Sequence, residues 1–582
     1  MLKNRRLVGF AAFTAIFAVL AAIVFWGTWS PSVAFIAPDD GYRFSLSVGD
    51  TWLRWWNQFS TTGKAHPLDI LWSGLLGSPM FTTELRYVVP MYLSSLALAF
   101  FLHGRGLSLL ASYGAGLLLG FSGYWCTLFS AGHGNWFVWM SYGPFAFGLV
   151  DRALERGNHK YWLLLGLVMA WASFYMPDLW LLFTVFTAAY FVFRLVQTYR
   201  SASSPAAGKS CLVPVTLARN LALAAVVFFA VGAPSFYSAL TNDLAGRDKQ
   251  IEESKKLGSA AGEDAPRNGE DDARWIFVTN WSLPPAETLE FLWPRLNGDT
   301  SCPLTLSINA KKGTKPYTGA LGRPINAPQG NYRQHSLYVG WVTIMLVLLG
   351  VLVGLGPLGR LGRLGRETAS SAAPFGHSVI QSFGYSTILF FAIAALVFWL
   401  FSLGRYCEPV YRCVYALPFG NYLRAPVKWH HLTEFCLCVL AGYGIEALLR
   451  LIPVPRAALG CGAVAALILF GAFDLATEAH RFCAPVDYSK AVAKKCSAQL
   501  TVLPRQQFND PQVATMVRAG YIVSVANWLG SPDAYLVQVL QPMKPAQPAT
   551  PKPLPLSLGV VSVLAALATL GFTLRLTVRR DV

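Results

Sequence analysis

The chain has 582 residues, of which 54% are hydrophobic and only 13% are charged. Soluble globular proteins carry roughly one quarter charged residues, so the composition excludes an ordinary soluble domain. The net charge of +17 does not indicate a nucleic-acid partner, because no basic stretch is typical of a nucleic-acid-binding module and the basic residues of membrane proteins collect on cytoplasmic loops. We therefore expect an all-α polytopic membrane protein that contacts membrane lipids.

The first predicted element is the apolar run Leu7–Gly27, which follows Lys3, Arg5 and Arg6. The run is long enough to span a membrane and no small-residue cleavage site follows it, so we interpret it as a retained helix rather than a signal peptide. Eleven further apolar runs bring the prediction to about twelve transmembrane helices. They start near Tyr87, Leu107, Trp136, Tyr161, Leu179, Leu221, Leu337, Ser386, Leu432, Ala457 and Leu556.

The distribution of Lys and Arg predicts the orientation of these helices. If both termini are cytoplasmic, every predicted inside segment carries at least one basic residue, whereas the short outside turns near Gly132 and Pro177 carry none. Basic residues favour the cytoplasmic side of a membrane, so this pattern indicates cytoplasmic termini.

The same orientation predicts the domain organisation. A transmembrane core, residues 1–477, includes the long extracytoplasmic loops 28–86 and 241–335. A small extracytoplasmic segment, residues 478–555, follows it. Residues 556–582 then contain the last transmembrane helix and a cytoplasmic tail.

Local patterns predict structure within the outside segments. Pro284–Leu296 has the pattern of a short amphipathic helix lying at the membrane interface. The stretches "AGYIVSVANWL" and "AYLVQVLQ" alternate apolar and polar residues, which predicts a strand pair. We expect a disulfide between Cys483 and Cys496 on the outside, with Cys407 and Cys413 as the alternative pair.

The first outside loop, "APDDGYRFSLSVGDTWLRWWNQF", combines the acids Asp39, Asp40 and Asp50 with a tryptophan cluster that includes Trp55. A carboxylate on such a loop is most often a solvated surface charge. Tryptophan rings favour the headgroup layer, however, and would hold the loop against the membrane. Desolvation there raises the pKa of a carboxylate and favours its action as a general base.

A second group of candidates lies in "LPFGNYLRAPVKWHHLTEF", just before a predicted span. Arg424, Lys428 and His430 are at the level of the lipid headgroups, where an arginine can bind a lipid-linked phosphate through its bidentate fork. The alternative is ordinary snorkelling of long basic side chains. Two outside turns add His133 in "SAGHGNW" and Asp178 in "YMPDLW", although Asp178 can equally cap the helix that follows it.

The order of several segments resembles the YfhO-like bacterial membrane proteins, which belong to the GT-C class of polytopic glycosyltransferases. The segments are "VGDTWLRWWNQF", "GHGNWFVWMSYGPFAFGLVDRAL", "YMPDLWLL", "LPPAETLEFLWPRLNG", "HSLYVGWVTIMLVLLGVL" and "YRCVYALPFGNYLRAPVKWHHLTEFCLCVLAGYGIEAL". Together they cover most of the chain as far as Leu449. The segment 478–555 shows no such likeness.

This resemblance implies a GT-C-like fold in the bacterial inner membrane, with the active site at the extracytoplasmic face. It implies transfer of a sugar from a polyprenyl-phosphate donor to a glycan, lipid or protein acceptor, with inversion at the anomeric carbon. The family-like "GD" favours Asp50 as the base, while Asp39 and Asp40 remain alternatives. His133, Asp178 and Trp55 are further candidates for substrate binding.

No cofactor is required for this chemistry, because a polyprenyl phosphate is already a good leaving group. A divalent metal held by Asp39 and Asp40 stays an option. The alternative functions are a lipid-linked glycan flippase or transporter, and a non-catalytic membrane scaffold.

Overall fold

The computed structural model of the protein describes residues 2–26, 48–68, 79–131, 134–175, 177–202, 214–243, 246, 248–249, 252, 269–298, 319–321, 336–355, 378–452, 457–480, 500–504, 521–528, 534–542 and 547–578. The chain forms two compact units. The first unit contains Met1–Trp26, Met91–Ala131 and Asn268–Ala484, and the second contains Gly27–Pro90, Gly132–Arg267 and Pro485–Val582. The predicted core, residues 1–477, is therefore distributed over both units.

The described part of the chain is predominantly helical and has eight helices long and apolar enough to cross a membrane. These are Arg6–Val24, Tyr87–Gly104, Asp178–Arg200, Pro214–Asn242, Gly384–Ser402, Pro426–Leu451, Ala458–His480 and Pro553–Thr577. The prediction of a polytopic helical membrane protein is confirmed at this level.

The four remaining apolar runs of the sequence also form helices, but these are shorter or more charged. The runs that start near Leu107, Tyr161 and Leu337 form helices of 12, 14 and 15 residues. The run that starts near Trp136 belongs to a helix of 23 residues whose last six residues include Asp151, Arg152, Glu155 and Arg156. The number of spans therefore stays a prediction.

Several helices of the first unit pack against α14 (His430–Leu451). In chain order the helices of this unit are α1 (Leu2–Val24), the C-terminal part of α3 (Pro79–Gly104), α4 (Leu109–Gly120), α5 (Gly123–Ala131), α10 (Gly269–Thr279), α11 (Trp341–Leu355), α12 (Ser378–Ser402), α13 (Glu408–Tyr415), α14 (His430–Leu451) and α15 (Ala457–His480). Helix α14 packs against α11, α12 and α4. At Gly444 a Cβ atom would lie 1.9 Å from the carbonyl oxygen of Leu346, so glycine permits the close approach of α11 and α14.

The second unit combines helices with a small sheet. Its helices are α2 (Val48–Thr62), the N-terminal part of α3, α6 (Gly134–Arg156), α7 (His159–Ala172), α8 (Pro177–Ala202), α9 (Pro214–Ser238) with the π-helical turn Ala239–Asp243, and α16 (Pro553–Val578). A buried ion pair between Arg194 Nε and Asp151 Oδ1 (2.5 Å) joins α8 to α6. Helix α16 packs on α9, α7 and α2.

The sheet has three antiparallel strands, β1 (Leu500–Pro504), β2 (Tyr521–Trp528) and β3 (Ala534–Pro542), in the order β1-β3-β2. Strands β2 and β3 are the two stretches predicted from their alternating pattern, and Ser524 pairs with Gln538. Strand β1 was not predicted, and it adds a third member beside β3. The predicted strand pair in this segment is therefore confirmed.

Two further sequence expectations concern the outside segments. Cys407 and Cys413 are free thiols, so the alternative disulfide is wrong in this structure, while Cys483 and Cys496 lie outside the described residues. The predicted amphipathic helix over Pro284–Leu296 is a 3-10 helix, Pro285–Phe291, followed by turns. It buries Glu287, Glu290 and Phe291 and exposes Leu289, so its buried face mixes acidic and apolar residues.

Candidate functional site

The connection 403–425 ends beside Arg424, the first member of the predicted basic group of the first unit. It joins the span that ends at Ser402 to the span that begins at Pro426, so both of its ends lie at the same membrane surface. The connection contains helix α13 and the 3-10 turns Gly404–Cys407 and Gly420–Tyr422. Helix α10 packs against it through aromatic contacts: the Trp275 ring lies 5.3 Å from the Tyr415 ring and 6.1 Å from the Tyr411 ring.

Arg424 is held between two aromatic rings. Its guanidinium carbon lies 4.7 Å from the centre of the Phe277 ring and 4.4 Å from the centre of the Trp281 ring. Phe277 lies in the last turn of α10, and Trp281 lies two residues beyond the end of that helix at Thr279. Stacking uses the flat face of the guanidinium and directs its N–H groups, which lie in the plane, to the sides.

The backbone around this stack is strained. Trp281 has φ 58° and Ala425 has φ 66°, in the left-handed region that residues with a Cβ rarely adopt. Two hydrogen bonds hold these positions: the Ala425 N–H donates to the Val278 carbonyl and the Val427 N–H donates to the Trp281 carbonyl, both at 3.1 Å. Each such residue costs about 1–3 kcal/mol, and strain of this kind is concentrated at functional sites.

A second arginine, Arg405, contacts the C-terminal end of α10. Arg405 Nη2 donates to the Thr279 carbonyl at 2.9 Å, and the Arg405 N–H donates to Ser282 Oγ at 3.0 Å. Burial lowers the pKa of the Arg405 guanidinium. The contact with the last carbonyl of α10 is a helix C-cap, which gives Arg405 a structural role.

The other predicted members of this group lie deeper than Arg424. Lys428 is buried in the 3-10 turn Pro426–Trp429. His430 is fully buried, with its ring 4.4 Å from the Phe291 ring and 5.2 Å from the Tyr124 ring. The structure therefore places Arg424 at the edge of the span and His430 inside the helix bundle, rather than the two side by side.

A buried carboxylate lies close to His430. Glu434 Oε1 accepts hydrogen bonds from Ser122 Oγ and, at 3.1 Å, from the Tyr124 N–H, and it lies 3.9 Å from His430 Nε2. Ser122 and Tyr124 mark the break between α4 and α5, so Glu434 satisfies the Tyr124 N–H at the start of α5. Glu434 Oε2 is buried and has no hydrogen-bond partner among the residues that the structure describes.

In the second unit, α2 carries the favoured base. The backbone of Asp50 lies in the first turn of α2, while Asp39 and Asp40 lie outside the described residues. The ring of Trp55 stacks on that of Phe59 at 5.4 Å and meets that of Trp52 edge-on at 5.6 Å. Trp55 therefore packs against other aromatic residues of α2, which indicates a structural role in that helix.

The end of α2 is bound to the segment that leads into α16. Asn57 Nδ2 donates to the Gln547 carbonyl at 2.7 Å, and Asn57 Oδ1 accepts from the Ala549 N–H at 2.9 Å. The Lys552 N–H donates to the Ser60 carbonyl at 2.9 Å. These bonds attach the helix that carries Asp50 to the last span.

His66 is a buried residue of the second unit that sequence reasoning missed. The Leu68 N–H donates to His66 Nδ1 at 3.1 Å, so the proton of the neutral ring is on Nε2, which lies 2.6 Å from the Tyr142 hydroxyl. Burial lowers the pKa of His66 to about 3, which keeps the ring neutral. The ring also meets that of Tyr175 edge-on at 4.6 Å. A single histidine forms no motif of characteristic spacing, so the sequence pattern could not identify it.

The remaining candidates are Asp178 and His133. Asp178 is buried in the first turn of α8, where a carboxylate favours the positive end of the helix dipole, and its Oδ1 accepts from the Leu179 N–H at 3.0 Å. His133 lies outside the described residues. Among the residues that the structure describes, no group of three or more His, Cys, Asp or Glu side chains could hold a metal ion.

Comparisons with protein-family models, with curated proteins and with solved structures gave no significant match.

Proposed function

We propose that the chain is a membrane glycosyltransferase that moves a sugar from a polyprenyl-phosphate donor to an extracytoplasmic glycan, lipid or protein acceptor. In this proposal the fold is of the GT-C type with about twelve spans, in the bacterial inner membrane, with both termini in the cytoplasm. Asp50 removes the proton from the acceptor hydroxyl, which attacks the anomeric carbon with inversion. The polyprenyl phosphate then leaves with the bonding electrons.

The observation that carries the proposal is the fixed position of Arg424. Two aromatic rings and two strained backbone residues orient its guanidinium just before the apolar helix that begins at Pro426. In this proposal that position is the depth of the lipid-linked phosphate. A preoriented guanidinium binds a phosphate with less loss of conformational freedom than a mobile one. The proposed role of Arg424 is to bind the donor phosphate and to stabilise the charge that develops on it.

The test is sugar transfer by the purified chain in lipid nanodiscs. A radiolabelled polyprenyl-phosphate sugar is the donor, and a crude cell-envelope fraction supplies acceptors. We expect label transfer by the wild type, a raised donor KM for Arg424→Ala, and unchanged transfer for Arg450→Ala. Arg450 is the matched control because it is an exposed arginine at the other end of α14. Absence of transfer, with no binding of the labelled donor, would contradict the proposal.

A lipid-linked glycan transporter is the second candidate, and the Glu434 site favours it. A helix broken within the bundle, with a buried carboxylate at the start of its second half, is a feature of many transporters. Proteoliposomes that translocate a lipid-linked glycan without transferring its sugar, and that lose translocation with Glu434→Gln, would favour this function over the first.

The orientation has its own test. Reporter fusions after Arg200 and near Gly262 are expected to give opposite signals, because the proposal places the first position in the cytoplasm and the second outside. Equal signals at the two positions would overturn the assignment of sides.

A further inference from the structure

The turn that follows α13 exposes four consecutive apolar residues, Ala416, Leu417, Pro418 and Phe419. The side chains of Leu417 and Phe419 are 58% and 55% exposed. A run of this length is unusual on a surface that faces only water and indicates that something apolar covers it.

The turn is rigidly held. The Leu417 N–H donates to the Val414 carbonyl at 3.1 Å, and the Gly420 N–H donates to the Leu417 carbonyl at 2.8 Å. At Gly420 a Cβ atom would lie 1.9 Å from the Val414 carbonyl oxygen, so only glycine allows the chain to fold back on α13. Phe419 has φ 64°, a strained conformation for a bulky residue. A strained backbone conformation therefore holds the aromatic ring of Phe419 on the surface.

The connection that contains this turn must stay close to the membrane surface. Residues 403–425 link two spans, and α13 buries Tyr411 and Val414 against the rest of the first unit. The face of α13 that remains open carries Glu408 and Arg412, which form an exposed ion pair at 2.9 Å. An exposed pair of this kind adds little stability, so Arg412 can exchange its partner.

The chemistry of the surroundings indicates a lipid leaflet as the covering partner. The Arg412 guanidinium carbon lies 4.0 Å from the centre of the Trp275 ring, and Tyr406 is 46% exposed on the same connection. Arginine, tyrosine and tryptophan around an apolar tip are typical of segments that lie in the interface layer. The connection itself carries three arginines and one glutamate, which favours anionic headgroups.

We propose that the turn Ala416–Phe419 inserts into the leaflet at this end of the two spans, with Arg412 beside it at the phosphates of anionic phospholipids. This surface is distinct from the Arg424 stack and does not depend on the proposed transferase activity.

The test uses photo-crosslinking of the full chain in nanodiscs. Phe419 is replaced by p-benzoylphenylalanine, and in a matched control Glu408, which is exposed on the outer face of α13, is replaced instead. Discs contain either phosphatidylcholine alone or a mixture with phosphatidylglycerol, and the adducts are identified by mass spectrometry. We expect lipid acyl adducts at position 419 but few at position 408. In mixed discs we expect phosphatidylglycerol to be enriched among the adducts, and Arg412→Ala to reduce that enrichment about fivefold, the factor that corresponds to about 1 kcal/mol for one arginine at an anionic surface.

Three outcomes would overturn the proposal. Equal lipid adducts at positions 419 and 408 would show that the turn does not insert. Adducts to a second protein chain would assign it to a protein interface. Displacement of phospholipid adducts by added polyprenyl phosphate would assign it to the carrier lipid.

Discussion

The side chain of Asn57 binds the backbone of Gln547 through its amide group, with an Nδ2-to-oxygen distance of 2.7 Å. The two residues are 490 positions apart in the chain, yet the same side chain also accepts from the Ala549 N–H. One asparagine therefore fixes the end of α2 on the segment that enters α16. If Asp50 is the base, Asn57 determines how firmly the helix that carries it is held.

Replacement of Asn57 tests this attachment. Asn57→Ala removes both hydrogen bonds, and we expect docking of α2 to weaken by about 1–3 kcal/mol. Hydrogen–deuterium exchange should rise in residues 48–62 and 547–552. Gln58→Ala, on the exposed side of the same helix, is the control and should leave exchange unchanged. Equal exchange in the two variants would mean that the contact of α2 with α16 suffices without Asn57.

The choice among the first-loop acids makes a kinetic prediction. Asp50→Asn keeps the size of the side chain and removes its basicity, so transfer should fall by about 10²–10⁴. The measurement is the rate of label transfer at a saturating donor concentration. Chromatographic elution of each variant is compared with that of the wild type to check that the variant is inserted. Full turnover by Asp50→Asn together with loss of turnover by Asp39→Asn or Asp40→Asn would move the base to that pair. Activity in all three variants would exclude the proposed mechanism.

The two aromatic rings beside Arg424 predict that different substitutions raise the donor KM by different amounts. Trp281→Leu keeps an apolar side chain and removes one cation–π partner, which is worth about 0.5–2 kcal/mol. We expect a several-fold rise in the donor KM with little change in kcat. Arg424→Lys should restore only part of the affinity lost in Arg424→Ala, because the ammonium lacks the planar fork. Full restoration by lysine would indicate that charge alone is required.

Glu290 predicts a pH dependence of stability. Its Oε1 accepts from the Asn297 N–H and from Asn297 Nδ2, both at 2.9 Å. Burial, with smaller contributions from the charges of Glu287 and Glu478, nevertheless raises its pKa from 4.5 to about 7. Because the folded pKa is above the unfolded one, the stabilising contribution is complete below about pH 4.5. It is lost as the pH rises through about 7.

Thermal unfolding of Glu290→Gln measures this effect. Glutamine retains the acceptor oxygen and does not ionise, so the variant should match the wild type at pH 4.5 and unfold at a higher temperature at pH 8. Glu408→Gln removes an exposed acid of the same unit and is the control. If the variant and the wild type unfold at the same temperature at pH 8, ionisation of Glu290 does not destabilise the folded chain.

The long apolar helices were predictable from apolarity, whereas α2 and α10 were not predicted, and the site was predictable only in part. Runs of apolar residues reveal helices because a span must satisfy its backbone internally, and the alternating pattern revealed β2 and β3. The sequence also pointed to Arg424 at a span edge. Its partners Phe277 and Trp281 could not be predicted, because they lie far along the chain and carry no periodic signal. His66 was missed for the same reason, since burial and its contact with Tyr142 are tertiary properties.

The break between α4 and α5 has a consequence for biosynthesis. Ser122 and the carboxylate of Glu434 that accepts its hydroxyl are separated by 312 positions, and the Tyr338 carbonyl that accepts from the Gly123 N–H also comes later in the chain. At about 5–20 residues per second, ribosomes need roughly 15–60 s to synthesise the intervening chain. During that interval the start of α5 lacks its carboxylate cap. The first unit can therefore reach its final packing only after α14 has left the ribosome, and the unfinished pair α4–α5 depends on water or the insertion machinery for its polar groups until then.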